Sequence, residues 1–217
     1  MISQLNTHTL RITDHEKGKT KLKKLLLVLL AMMMLLNGLT ALAYSNSKLG
    51  AFGVKEEDEA NESAGQGNGI EWADFAPLVN MMGIEGGFYA YDDYNFRFWV
   101  PDAMSQSLMT QQQVDDGLID LFTDADESYA ITVQYASIGE DATLEDLKTV
   151  VDKLYEGASL TKINGIDALI YFHDGTMSVV TPGENGYFLS LNYNGVSDQG
   201  FLNVASVSMA SLQRLED

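Results

Sequence analysis

The chain has 217 residues, of which 31 are acidic and 13 are basic, and its formal net charge is −18. This length suits one domain with accessory segments or two small domains, and the acidic excess argues against nucleic acid as a partner because phosphates are repelled. The sequence contains no cysteine, which excludes disulfides, thiolate metal sites and thiol nucleophiles.

Residues 1–43 have the three-part pattern of a secretory signal peptide. A basic run at residues 17–24 precedes an apolar core at residues 25–36, and the small residues Ala41 and Ala43 follow on either side of Leu42. We predict cleavage after Ala43, so that the rest of the chain is secreted and extracellular. The alternative is an uncleaved leader that anchors the protein to the outer face of the cytoplasmic membrane through residues 25–44. The apolar core has 12 residues, whereas a spanning helix needs about 20, and this shortfall favours cleavage.

Residues 44–69 are rich in Glu, Asp, Ser, Asn and Gly and contain few large apolar side chains. Such a stretch buries too little surface to offset the entropy lost on ordering, so we predict a disordered acidic linker. The acidic run Glu56–Glu59 is interpreted as a solvated tether rather than a cation site. Residues 70–217 then form a single domain that is large enough for one core.

The first half of this domain predicts a helix followed by two pairs of strands. Residues 71–82 place apolar side chains at helical spacing, although Pro77 interrupts the pattern. The strands are expected at 86–91 and 94–100 around Asp92–Asp93, and at 118–123 and 129–136 around the acidic loop 124–127.

The second half predicts a helix, a meander of four strands and a terminal helix. Thr143 and Asp146 form a variant of the capping box at the start of a helix whose apolar stripe includes Leu154, and Gly157 ends it. Asn164–Gly165 and Asp174–Gly175 are the dipeptides of two-residue hairpin turns, in which both central residues need positive φ. With a third turn at 182–186, they predict strands at 159–163, 167–173, 176–181 and 187–193, and a last helix from about Asp198.

Strands and helices do not alternate regularly along this chain, which disfavours a parallel sheet. We therefore predict the α+β class, with an antiparallel sheet of hairpins packed against helices.

Two segments carry a resemblance to a known fold. Phe96–Pro101 looks like a strand that ends in proline, and Ile163–Phe172 looks like a hydrophobic residue, an Asn-Gly turn and the next strand. Over about residues 88–215 the chain resembles the PsbP-like fold, an α/β/α sandwich that the photosystem II extrinsic protein PsbP shares with many bacterial exported proteins. It is also similar in style to small secreted proteins of gut Firmicutes, which favours a bacterial source. The resemblance implies a non-catalytic binding or assembly factor and transfers no functional residue.

Catalytic chemistry has few candidates in this sequence. His173 is the only histidine after the predicted cleavage site, and its place beside Asp174–Gly175 predicts an exposed hairpin residue. A Ser-His-Asp triad would need this histidine, but the Gly-x-Ser-x-Gly motif does not occur. Zinc would need three or four good ligands, and the glycine loops that bind nucleotides are missing as well. We predict no catalytic, cofactor-binding or metal-ligating residue, no cofactor and no enzymatic activity.

Two alternatives stay open because acidic residues are abundant. A carboxylate-based hydrolase would need two close acids in a cleft, or His173 buried against Ser and Asp. A weak Ca²⁺-dependent surface protein would bind the cation through oxygen ligands in the loop Asp124–Glu127, or at Asp92–Asp93 or Asp115–Asp116.

Aromatic side chains are concentrated between Phe88 and Trp99. Strand alternation sends about half of them to the core, and the others are available to an exposed face that binds a peptide or a glycan. The alternative is that a helix covers this second face. The exposure of Arg97 and Trp99 decides between an exposed face and a covered one. We predict a secreted or surface-tethered, non-catalytic binding or assembly module whose partner is a protein or a cell-surface glycan.

Overall fold

The computed structural model describes residues 69–155 and 157–215. The predicted signal peptide over 1–43 and nearly all of the predicted linker over 44–69 lie outside these described residues. Within the described ranges, no helix combines the length and the apolar character that are needed to cross a bilayer.

The described chain contains four helices and nine strands. The helices are α1 (Trp72–Met82), α2 (Gln111–Asp115), α3 (Leu144–Val151) and α4 (Gln199–Ala210). The strands are β1 (Gly86–Tyr91), β2 (Phe96–Pro101), β3 (Ser105–Gln106), β4 (Leu118–Thr123), β5 (Ala130–Ser137), β6 (Ser159–Ile163), β7 (Ile166–His173), β8 (Thr176–Pro182) and β9 (Tyr187–Asn194). The predicted order of helices and strands is confirmed, with β3, the short helix α2 and a 3₁₀ turn at Asp92–Tyr94 as additions.

The main sheet has seven antiparallel strands in the order β3-β4-β5-β9-β8-β7-β6. Its meander β6 to β9 is the predicted one. Asn164, Gly165, Asp174 and Gly175 all have positive φ, as two-residue hairpin turns require. Strand β9 then pairs with β5, which joins the two halves of the chain in one sheet. The α+β prediction is therefore confirmed.

The two faces of the main sheet are covered differently. One face packs against the separate hairpin β1–β2 and against α4, in a core that includes Phe98, Ile131 and Tyr193. On the other face, α3 covers β7 and β8 through Leu147, Val151 and their buried neighbours. Burial on both faces explains why strands such as β8 consist almost wholly of buried residues.

Helix α3 is shorter than the sequence pattern indicates. The N–H groups of Lys153 and Leu154 bond to the carbonyl oxygens of Val150 and Val151, three residues back. The backbone thus tightens into a turn after Val151, and Leu154 is 46% exposed rather than part of the buried stripe. The prediction that the helix continues through Leu154 to Gly157 was wrong.

Candidate functional site

The hairpin β1–β2 has one covered edge and one open edge, and the covered edge belongs to β2. Arg97 donates its N–H to Gln213 O at 2.9 Å and accepts from Gln213 N at 3.0 Å. Trp99 donates its N–H to Ser211 Oγ at 2.6 Å, and its carbonyl oxygen accepts from Ser208 Oγ at 2.6 Å. The backbone polar groups of Arg97 and Trp99 therefore point away from β1, towards the end of α4 and the residues after it.

This arrangement fixes the direction of the backbone groups in β1. Phe88 lies opposite Trp99, and Ala90 lies opposite Arg97. In an antiparallel pair, two opposite residues either bond to each other or both point outward. The N–H and C=O groups of Phe88 and Ala90 therefore point outward. In the part of the chain that the structure describes, β1 pairs with β2 alone, so these groups form an open strand edge.

Two aromatic side chains are exposed beside this edge. Phe88 is 42% exposed and Tyr89 is 36% exposed. The ring of Phe88 meets Trp72 edge-on at 5.7 Å, and Arg97 Cζ lies 5.2 Å from its centroid. The ring of Tyr89 meets Phe122 edge-on at 4.8 Å. Ring contacts thus hold both exposed side chains in defined positions.

Trp99 does not line an exposed face. It is 4% exposed, and a β-carbon added at Gly86 would overlap its indole ring. The glycine lets the ring lie directly against β1. Arg97 is half-buried, and its guanidinium donates to Gln213 Oε1 from Nε at 3.2 Å and from Nη2 at 2.8 Å. Trp99 is therefore covered, and the exposed aromatic side chains of this strand pair are Phe88 and Tyr89.

The segment around the open edge is acidic. Residues 71–102 contain six carboxylates and one cation, Arg97. Three of these carboxylates, Glu85, Asp92 and Asp93, directly flank β1 and belong to exposed residues. A cationic ligand is therefore attracted to this surface, and an anionic one is repelled.

The prediction that His173 is exposed was wrong. The residue is 8% exposed, and its ring stacks on Tyr155 at 5.1 Å and on Tyr171 at 5.4 Å. Burial lowers the pKa of His173, and the neighbouring charge of Asp174 opposes this shift. The turn residue Asp174 is exposed as expected, but Tyr155, from the segment that follows α3, stacks on the His173 ring and buries it.

His173 is part of a buried polar cluster with Ser178, Asn192 and Thr132. His173 Nε2 lies 3.1 Å from Ser178 Oγ, and Ser178 Oγ donates to Asn192 Oδ1 at 2.8 Å. When the Ser178 proton is in the bond to Asn192, the ring tautomer that fits this contact has its proton on Nε2. That tautomer cannot act as a general base towards Ser178, and the described residues place no carboxylate in a hydrogen bond with the ring. Asn192 Nδ2 in turn donates to Thr132 Oγ1 at 3.2 Å.

The acidic loops were the candidate sites for calcium. Asp124, in the β4–β5 turn, accepts a bond from Tyr129 N–H at Oδ1 over 2.8 Å, so part of its carboxylate closes the hairpin. Among the described residues, no group of three His, Asp or Glu side chains is close enough to hold a metal ion. This holds for Asp124–Glu127, for Asp92–Asp93 and for Asp115–Asp116.

A shallow groove of about 320 Å³ lies between the start of α3 and the hairpin β6–β7. Its apolar wall includes Leu144 and Phe188, and Glu145 and Asp167 contribute carboxylates. Asp167 Oδ1 accepts from Lys162 Nζ at 2.6 Å, so one of the two carboxylates is already paired. Thr143 and Thr161 contribute hydroxyls, and Thr143 Oγ1 is engaged with Asp146 in the capping box of α3.

Comparison with known proteins gives a likeness of fold. No protein-family model matches the sequence, and no curated protein matches it. A solved structure of cyanobacterial PsbP from Synechocystis is similar over 61% of this chain and 94% of its own, with 15% identity and a TM-score of 0.45. A crystal structure from Bacteroides thetaiotaomicron is similar over 62% of this chain and 50% of its own, with 14% identity and a TM-score of 0.40. The PsbP-like resemblance is thus found again among solved structures, and it concerns the fold alone.

Proposed function

We propose that this protein is an exported, non-catalytic binding module that recognises a protein partner through the open edge of β1. The observation that carries the proposal is the outward direction of the Phe88 and Ala90 backbone groups next to the exposed rings of Phe88 and Tyr89. Unpaired strand edges are sites at which other polypeptides bind. Exposed aromatic rings add contact area to such an edge.

A protein suits this surface better than a glycan. A sugar ring stacks on an open aromatic face, whereas Phe88 already has Arg97 over its ring and Trp72 against it. The basic and apolar leader supports export, with the domain outside the cytoplasm. The His173 cluster supports a non-catalytic role, because the tautomer that lets Ser178 bond to Asn192 leaves no lone pair on Nε2 for the Ser178 proton.

Site-specific photo-crosslinking tests the proposal in cells of the source organism. The crosslinking amino acid p-benzoylphenylalanine replaces Phe88 in one variant and Leu154 in a control, since Leu154 is equally exposed but lies after α3. We expect a discrete protein adduct from position 88 and none from position 154. A membrane-impermeant biotin reagent applied to intact cells should label the same chain. Equal adducts from both positions, no adduct, or a chain that only lysis makes accessible contradicts the proposal.

A further inference from the structure

We infer that the edge of β1 takes up an extended, positively charged peptide segment as a third strand of the hairpin. The inference rests on the proposed function and specifies the chemistry of the partner. It requires three properties of the edge. Its N–H and C=O groups must point outward at alternate residues, its surface charge must favour one kind of peptide, and no other segment of the chain may compete for it.

The direction of the N–H and C=O groups of β1 is fixed at both ends of the strand. At one end, Arg97 and Trp99 bond away from β1, so Ala90 and Phe88 point outward. At the other end, Asp102 N–H donates to Glu85 O at 2.9 Å, so Glu85 points inward. Because direction alternates along a strand, the outward set is Gly86, Phe88 and Ala90. Three alternate residues offer N–H and C=O groups in the spacing that an added strand uses.

The surroundings select a cationic strand. The carboxylates of Glu85, Asp92 and Asp93 flank the edge at its two ends, and Arg97 is committed to Gln213 and to the Phe88 ring. An incoming segment with lysine or arginine at alternate positions gains attraction from these carboxylates. Because side chains alternate along a strand, its cations lie on one face of the hairpin and its intervening side chains on the other, next to Phe88 on one face or Tyr89 on the opposite face.

Other segments of this protein do not compete for the edge. The basic run at residues 17–24 belongs to the predicted signal peptide, which we expect to be removed on export. A second copy that paired through its own β1 would bring two sets of these carboxylates together, and like charges disfavour such pairing. Residues 55–62 of the preceding segment contain five acidic residues and one lysine, so they are repelled as well. The edge is therefore suited to a different, basic chain.

The test uses the purified chain and two synthetic peptides, acetyl-Lys-Val-Lys-Val-Lys-Val-Lys-amide and its counterpart with Glu in place of Lys. Amide hydrogen exchange followed by NMR is the main measurement. The lysine peptide should slow exchange at Phe88 and Ala90 by about tenfold or more, and leave Tyr89 and Tyr91, whose N–H groups face β2, nearly unchanged. The glutamate peptide should do neither.

A matched pair of variants separates strand addition from charge attraction alone. Ala90→Pro removes one outward N–H, which an edge strand tolerates, whereas Ala90→Val keeps it. Affinity for the lysine peptide should fall about tenfold in Ala90→Pro and stay within about twofold in Ala90→Val. Added salt should weaken binding to both variants.

Four outcomes overturn the inference: equal binding of the two peptides, unchanged exchange at Phe88 and Ala90, equal affinity in the two Ala90 variants, or protection of both amides before any peptide is added. The last outcome would mean that the edge is already covered by the chain itself or by a second copy. Each differs from a failure of the proposed function, in which the photo-crosslinker at position 88 captures no partner. A crosslink at position 88 without protected amides leaves the proposed function standing and removes strand addition.

Discussion

The backbone N–H of Trp72 donates to Asn164 Oδ1 at 2.6 Å, although 92 residues separate the two positions in the sequence. The same side chain donates from Nδ2 to Ala210 O at 2.8 Å and to Leu212 O at 2.7 Å. One asparagine in the β6–β7 turn thus pairs with a backbone N–H at the start of α1 and with two carbonyl oxygens at and just after the end of α4. The turn holds both helices against the layer that contains the hairpin β1–β2.

Replacement of Asn164 should therefore destabilise the whole domain. Asn164→Asp keeps the acceptor for Trp72 N–H and tolerates the positive φ, but it turns a carboxylate oxygen towards the carbonyl oxygens of Ala210 and Leu212. Asn164→Gly keeps the turn and only removes the bonds. We expect Asn164→Gly to lower the free energy of unfolding by about 2 kcal/mol and Asn164→Asp to lower it further. Urea denaturation measures both, and an Asp variant as stable as the original chain would contradict this role.

Tyr91 joins the hairpin β1–β2 to the main sheet through Asp120. Its hydroxyl donates to Asp120 Oδ2 at 2.7 Å, and the buried carboxylate also accepts from Gln106 Nε2 at 2.8 Å and from Leu121 N–H at 2.9 Å. Burial, followed by the bond and the charge of Asp120, raises the pKa of Tyr91 far above its ordinary value. The hydroxyl is therefore a permanent donor at any working pH.

Tyr91→Phe should cost about 2 kcal/mol of unfolding free energy, because a buried carboxylate oxygen loses one of its donors. Tyr89→Phe is the matched control on the same strand. The Tyr89 ring is held by Phe122, and the substitution removes a hydroxyl while it leaves this ring contact intact. We expect the control to change stability by less than about 0.5 kcal/mol. Chemical denaturation followed by fluorescence gives both values, and equal effects would show that the bond to Asp120 contributes nothing specific.

The sequence was most informative where structure is set locally. The Asn-Gly and Asp-Gly turns identified the meander because their φ requirements depend on two adjacent residues. The capping box of α3 was visible for the same reason, and both of its bonds are present between Thr143 and Asp146.

Features that depend on distant parts of the chain were not predictable. The pairing of β5 with β9 and the separation of β1–β2 from the main sheet follow from packing, not from turn chemistry. The burial of His173 also depends on distant contacts, because Tyr155 from another element stacks on its ring. The open edge of β1 became visible only once Gln213 and Ser211 were placed beside β2.

His173 makes the stability of the domain depend on pH in a defined direction. Burial lowers its pKa in the folded state below the unfolded value of about 6.5. Between these two values the unfolded chain binds more protons, so the free energy of unfolding falls as the pH falls below about 6.5. Above about 6.5 both states are neutral at this residue, and the contribution is constant. The groups around the ring are Tyr155, Tyr171, Ser178 and Asp174, and the first three stay neutral in this range.

Urea denaturation at pH 7.5 and pH 5.5 tests this dependence. The original chain should lose stability between the two conditions, and His173→Gln should lose less, because glutamine can donate to Ser178 but does not titrate. The comparison removes the contribution of acidic residues that are common to both chains. An equal pH dependence in both chains would show that His173 is not the responsible group.

Gly86 and Gly87 offer a final comparison, because adjacent glycines in β1 have opposite surroundings. A β-carbon at Gly86 would overlap the Trp99 indole and the Val100 carbonyl oxygen, whereas one at Gly87 would have no atom within 4 Å. Gly86→Ala should therefore displace Trp99 and cost about 1–3 kcal/mol. Gly87→Ala should be neutral or slightly stabilising, since it restricts the unfolded chain.

The measurement is urea denaturation together with tryptophan fluorescence, which reports on Trp99 and on the only other tryptophan of the sequence, Trp72. A shifted emission spectrum is expected from Gly86→Ala alone. If Gly86→Ala were as stable as Gly87→Ala and showed the original emission spectrum, the close packing of Trp99 on β1 would be wrong.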